Sequence, residues 1–111
     1  MTNEPLVYVL ILNYCSFDDS IECVNFLRKS MYKNYKLLVI DNASPDGSGP
    51  ELAEFLPADE FMELKKNIGY AGGNNVGMKH ALTNQADYVF IVNPDIRLPS
   101  TAIRDYIDLL E

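Results

Sequence analysis

Three short runs in this sequence, Leu6 to Leu12 (LVYVLIL), Lys36 to Ile40 (KLLVI) and Tyr88 to Val92 (YVFIV), are almost continuously apolar and rich in Val, Ile and Leu. A strand with one face in water alternates polar and apolar residues, so a run without alternation must be covered on both faces. A parallel sheet with helices packed on its two sides is the architecture that does this. Each run also stops abruptly at polar residues: Asn13-Tyr14, Asp41-Asn42 and Asn93-Pro94-Asp95.

The segments between the runs read as helices and turns. Asp18-Asp19-Ser20 offers helix-start chemistry, and Ile21, Val24, Leu27 and Met31 follow at helical spacing. Asp41 to Gly49 (DNASPDGSG) is saturated with turn formers. Pro50 suits a first helical position, and Leu52, Phe55 and Leu56 give that helix an apolar side. Phe61 to Leu64 is a short third strand, followed by a glycine-rich turn and a helix from about Asn74 to Asn84. Ile103, Tyr106, Ile107 and Leu110 then sit at i, i+3, i+4 and i+7, an amphipathic helix. The expected fold class is α/β, a mainly parallel sheet of about four strands flanked by helices.

Composition narrows the function. The 111 residues, 48% apolar, suffice for a single domain spanning 1–111. Nine Lys and Arg against sixteen Asp and Glu give a net charge of −7. Nucleic-acid affinity rests on clustered cations, and the nearest groupings here are Lys33 with Lys36 and Lys65-Lys66, so no nucleic-acid partner is expected. No apolar stretch approaches the roughly 18 residues of a membrane span. The start, Met1-Thr2-Asn3-Glu4-Pro5, lacks the features of a signal peptide, and Cys15 and Cys23 have neither zinc-type spacing nor the density of a disulfide scaffold. A reduced, cytoplasmic domain is the expectation.

In open parallel sheets, ligands bind outside the carboxyl ends of the strands at the point where strand order reverses. The polar strand ends fall where that rule places a site. Asp41 and Asp95 can offer oxygen ligands to a hard divalent cation. Pro94 forces Asn93 into an extended conformation, which lets Asn93 and Asp95 address one ligand group. An ordinary strand-to-helix turn uses the same residues, and both readings stay open on the residues alone. The stretch Asn67-Ile68-Gly69-Tyr70-Ala71-Gly72-Gly73-Asn74-Asn75-Val76-Gly77 lets backbone approach a ligand, or else forms a tight turn with Asn capping. It is neither GxGxxG after a first strand nor a phosphate-binding lysine loop. His80 has no oriented partner in sequence, and Cys15 lacks a flanking base. Glu51, Glu54, Asp59 and Glu60 read as a solvated acidic face; Tyr14 and Tyr70 can stack on a base or simply pack.

Taken in order, Val9 to Tyr14, Val39 to Ser48, Asn67 to Gly77 and Asn93-Pro94-Asp95 resemble the N-terminal half of a family 2 glycosyltransferase, particularly its rhamnosyltransferase-like branch. The resemblance covers nearly the whole chain. It implies a GT-A fold with a Rossmann-like sheet in the order 3-2-1-4. It also implies transfer of a sugar, with inversion, from a nucleoside-diphosphate-sugar donor to a carbohydrate or lipid-linked acceptor such as a growing polysaccharide. On that analogy Asn13 and Tyr14 line the nucleoside pocket and Asp41 hydrogen-bonds the base or ribose, beside Asn42. Gly69, Gly72, Gly73 and Asn75 border the sugar and diphosphate. Asn93 and Asp95 occupy the family's DXD position, with Asp95 binding Mg²⁺ or Mn²⁺.

The chain departs from the pattern twice. Asn93 is neutral where a DXD motif has an aspartate, which removes one charge from the cation site. The family's general base lies well downstream, and no residue here matches it, so the catalytic residue is unassigned and the 111 residues alone are expected to be inactive. The last helical pattern stops at Leu109-Leu110-Glu111 without a helix-ending Gly, Asn or Pro, and strand four has no successor. The chain is therefore expected to be the truncated donor-binding portion of a longer enzyme, able to self-associate through the open sheet edge or the last helix, and to work in the cytoplasm or at the cytoplasmic membrane face. A non-catalytic nucleotide-sugar-binding module is the alternative, and a receiver-like signalling domain a remote one.

Overall fold

The computed structural model describes residues 4–111; Met1 to Asn3, part of the stretch assessed above for a leader, lie outside them. The chain runs β1 (Val7–Asn13), α1 (Phe17–Leu27), β2 (Tyr35–Asp41), α2 (Ser48–Phe55), a 3₁₀ turn (Ala58–Glu60), β3 (Phe61–Glu63), α3 (Gly69–Thr83), β4 (Tyr88–Val92) and α4 (Ala102–Leu110). The four strands form one sheet in the order β3-β2-β1-β4, and every pairing is parallel. This is the expected α/β class with the expected 3-2-1-4 order.

The register sets the site. Asn13 lies opposite Asp41, and Asp41 opposite Glu63, so three strands end level with one another. Ile11 pairs with Val92, which brings Asn93 beside the end of β1. The order of strands reverses between β1 and β4, since β2 and β3 extend the other way.

Alternate residues of β1 feed two cores, as the absence of polar alternation requires. Val7, Val9 and Ile11 pack with Val24 and Leu27 of α1, Leu52 of α2, and Ile103 and Ile107 of α4. Tyr8 and Leu10 pack with Leu38, Ile40 and Ala81 beneath α3. Tyr106 stacks on Phe90 at 4.4 Å between centroids and donates its hydroxyl to the Val89 carbonyl at 2.6 Å, fixing α4 against β4. Asp46 accepts the hydroxyl and backbone N–H of Ser48, which holds its carboxyl below the usual range and fastens the start of α2. His80 is half-buried with its ring edge-on to Tyr8, 5.8 Å between centroids, a packing arrangement.

Four sequence expectations change. The glycine-rich stretch is not a turn ahead of a helix starting near Asn74: α3 begins at Gly69 and contains it. Glycine costs about 1 kcal/mol in a helix interior, which is why composition argued for a turn. Here close packing offsets that cost. A Cβ on Gly73 would lie 2.5 Å from Leu12 Cδ1, and one on Gly77 2.5 Å from Ile40 Cδ1, so glycine lets α3 sit this near the sheet without displacing those side chains. Met31 is not on α1, which ends at Leu27; the chain turns through Ser30, and Met31 is exposed. Pro50 is the third residue of α2, not the first. Of the acidic residues assigned to a solvated face, Glu60 is instead ion-paired with Arg28 at 2.6 Å.

The close approach gives a direct prediction. Gly77→Val inserts a branched isopropyl group where Ile40 and Leu10 already stand, and should lower stability by about 2 kcal/mol despite removing a helical glycine. Urea denaturation measures this, and an unchanged midpoint would contradict the packing described.

Candidate functional site

A cleft of about 520 Å³ opens at the carboxyl ends of the strands, at the reversal between β1 and β4. Leu12 and Tyr14 come from the end of β1, Ser16 and Asp19 from the start of α1, and Asn42 from the end of β2. Asn67, Gly69 and Tyr70 come from the start of α3, and Asn93, Pro94 and Asp95 follow β4. A second cavity, about 400 Å³, lies toward the opposite end of β2, bounded by residues such as Tyr8, Lys36 and His80.

The floor beneath the cleft is a buried polar network. Asn13 and Asp41 are fully buried, and the Asn13 amide donates to Asp41 Oδ1 at 2.9 Å. Ser44 donates its hydroxyl to Asp41 Oδ1 at 2.6 Å and its backbone N–H to Asp41 Oδ2 at 3.1 Å. Ser20 of α1 donates to Asn13 Oδ1 at 2.7 Å. A buried carboxylate is costly unless hydrogen-bonded, and this network supplies the donors. Asn42 is committed as well: its amide donates to the Gly69 carbonyl and accepts from the Ile68 backbone, each at 3.1 Å, which fixes the start of α3.

The expected site residues therefore separate into layers. Tyr14, Asn42, Gly69, Asn93 and Asp95 line the cleft. Asn13 and Asp41 lie under it. Gly72 packs against Ile68 and Gly73 against Leu12, away from the opening, and Asn75 is exposed outside the lining. Its neighbour Asn74 is the buried one, with neither amide atom hydrogen-bonded. Asn67 and Tyr70, both within the glycine-rich motif, join the wall, as does Asp19, which no motif had assigned to it. Asp19 had registered only as helix-start chemistry, and only the fold of α1 over β1 could turn that into cleft lining.

Arg97 organises the loop after β4. It donates to the Pro94 carbonyl at 2.7 Å and to Asp19 and Glu22 of α1 at 2.9 and 2.8 Å. Asp19 is thus ion-paired, and Asp95 is the cleft carboxylate with no ion-pair partner among the described residues. No group of three or more His, Cys, Asp or Glu able to hold a metal exists among the described residues. That donor set still suits Mg²⁺ or Mn²⁺ bound alongside a nucleotide, because such ions take one or two carboxylates and complete their shell with phosphate and water. Asp95 is the residue that would hold it.

The glycosyl transferase family 2 profile matches residues 8–111. The chain belongs to glycosyltransferase family 2. Among the relatives of this family 2 chain, the low-salt glycan biosynthesis hexosyltransferase Agl10 of Haloferax volcanii is 28% identical over 104 residues, covering 87% of this chain and 30% of that protein. The galactofuranosyltransferase GlfT1 of Mycobacterium tuberculosis is 28% identical over 94 residues, covering 80% and 30%. The chain thus spans about a third of the length of these relatives. Among solved structures, the mannosyltransferase PcManGT of Pyrobaculum calidifontis in complex with GDP-Man and Mn²⁺ superposes with a TM-score of 0.80 at 22% identity, over 98% of this chain and 33% of that one. TarS of S. aureus in complex with UDP-GlcNAc gives 0.76 at 20%, over 95% and 31%. The fold of this family 2 member is the GT-A, Rossmann-like arrangement, and the receiver-like alternative falls away. No helix among the described residues is long and apolar enough to cross a membrane.

The apolar core beside the end of β4 carries a chemical reporter. Cys23 is buried under the end of β4, and burial pushes its thiol up to about 11, against the opposing influence of Arg97. Thiolate is the reactive form, so iodoacetamide at mildly alkaline pH should alkylate exposed Cys15 alone in the native protein and reach Cys23 only on unfolding. Simultaneous modification of both thiols would contradict this placement.

Proposed function

We propose that this chain is the donor-binding half of an inverting glycosyltransferase that moves a sugar from a nucleoside-diphosphate donor to a carbohydrate or lipid-linked acceptor, such as a growing polysaccharide. The observation that carries the reading is the cleft at the β1/β4 switch point, where Tyr14, Asn42, Asn93 and Asp95 converge. Tyr14 and Asn42 form the nucleoside side. Asn13 and Asp41 act from below, holding the strand ends that carry them. Gly69 and Asn93 border the sugar and diphosphate, and Gly72 and Gly73 serve by keeping α3 close to its neighbours. Asp95 ligates Mg²⁺ or Mn²⁺, an ion that offsets charge on a leaving diphosphate when bound. The GDP-Man, Mn²⁺ and UDP-GlcNAc held by the solved relatives support this ligand class. A rhamnosyl donor rests on the four sequence motifs alone.

These 111 residues bind without turning over. Transfer needs a base for the acceptor hydroxyl, positioned within hydrogen-bond reach. Of the two carboxylates lining the cleft, Asp19 is tied to Arg97 and Asp95 is assigned to the cation.

Thermal unfolding with UDP, GDP and thymidine diphosphate, each with and without Mn²⁺, tests the reading. A bound nucleotide should stabilise the chain by roughly 2–3 kcal/mol at a hundredfold excess over Kd, more with metal, and the effect should vanish in Asp95→Ala. No shift from any nucleotide under any metal condition would contradict donor binding, and measurable sugar transfer would contradict the missing base.

A further inference from the structure

Resting on that donor-site reading, we infer that the amide nitrogens of Asn67 and Asn93 form a charge-neutral cradle for the donor's diphosphate, with Tyr70 as the positioning residue for Asn93. Diphosphate oxygens accept hydrogen bonds and have none to give, so a protein meets them with donors. Among the described residues lining the cleft there is no lysine, arginine or histidine, and nearby Arg97 is spent on Pro94, Asp19 and Glu22. Apart from a cation at Asp95, neutral donors must do the work.

An asparagine side chain offers both a donor and an acceptor, and its role depends on which end the protein has already engaged. Asn42 is engaged at both ends. Asn67 and Asn93 are engaged at the oxygen only. Asn67 Oδ1 accepts the Gly69 backbone N–H at 2.8 Å, and Asn93 Oδ1 accepts the Tyr70 hydroxyl at 3.1 Å. Both NH₂ groups are without a partner among the described residues, on side chains that line the same cleft. The cleft therefore presents donors there and withholds the matching acceptors. Asn93 stands two residues before Asp95, so a diphosphate bridged to a cation at Asp95 lies beside it. The neutral residue at the first position of the DXD-like motif becomes functional on this view: an aspartate would offer the phosphate an acceptor and a like charge.

Calorimetric titration of the full chain at fixed Mn²⁺ tests this, with UDP and GDP compared against uridine and guanosine. Asn67→Asp and Asn93→Asp should each weaken diphosphate binding about tenfold or more while leaving nucleoside binding within about twofold. Tyr70→Phe should weaken it by about threefold to tenfold, and by nothing in an Asn93→Ala background, since a positioning residue acts only through its partner. Thermal midpoints of the unliganded variants confirm folding; should an Asp variant not fold, Asn67→Ala and Asn93→Ala give the same readout. Wild-type diphosphate binding that Asn67→Asp and Asn93→Asp leave unchanged or strengthen, or a matching loss of nucleoside affinity, would overturn the cradle alone. Failure of the wild-type chain to bind any diphosphate would overturn the donor-site reading together with it.

Discussion

Asp41 is a carboxylate with no exposure to water at the end of a parallel strand, and such a group is tolerated only when its oxygens are supplied with donors. Here the donors come from two places in the chain. Asn13 reaches across from β1, while Ser44 bends back from the following loop and supplies both hydroxyl and backbone N–H. Ser20 then secures Asn13 from α1. Removing any member leaves a buried polar group unpaired, so the network fixes the ends of β1 and β2 and the entry of α1 as one unit. Everything that lines the cleft stands on this floor.

The second constraint is steric. Gly73 and Gly77 let α3 press onto Leu12, Leu10 and Ile40, and Asn42 clamps the first turn of that helix to the end of β2. Together these place Tyr70 and Asn67 above the β1/β4 junction, where a longer or looser turn would leave them elsewhere. On the far wall Arg97 ties the Pro94 loop to α1. The walls are thus held by hydrogen bonds and packing from separate helices, which is how a site made mostly of exposed loop residues acquires a definite shape.

Much of this was legible in the sequence, for a physical reason. Burial on two faces erases polar alternation, so Leu6–Leu12, Lys36–Ile40 and Tyr88–Val92 announced a parallel sheet, and their polar ends marked the ligand side. The position of the glycines misled because propensity counts against glycine in a helix, while the tight approach of α3 to the sheet is a tertiary fact. Among the asparagines, sequence could not tell which amide is committed to the fold and which is free. Asn13 and Asn42 are consumed by the fold, whereas Asn67 and Asn93 keep a free nitrogen at the cleft. Arg97 was likewise silent, since its partners Asp19 and Glu22 are remote in sequence.

Where the nucleotide binds is the claim on which the functional reading stands. Amide chemical-shift mapping of isotope-labelled protein, titrated with UDP and GDP in the presence of Mg²⁺, locates it directly. The largest changes should fall at Tyr14, Asn42, Asn67, Tyr70, Asn93 and Asp95, around the carboxyl ends of the strands. Changes confined to Tyr8, Lys36, His80 and their neighbours at the other cavity would contradict it.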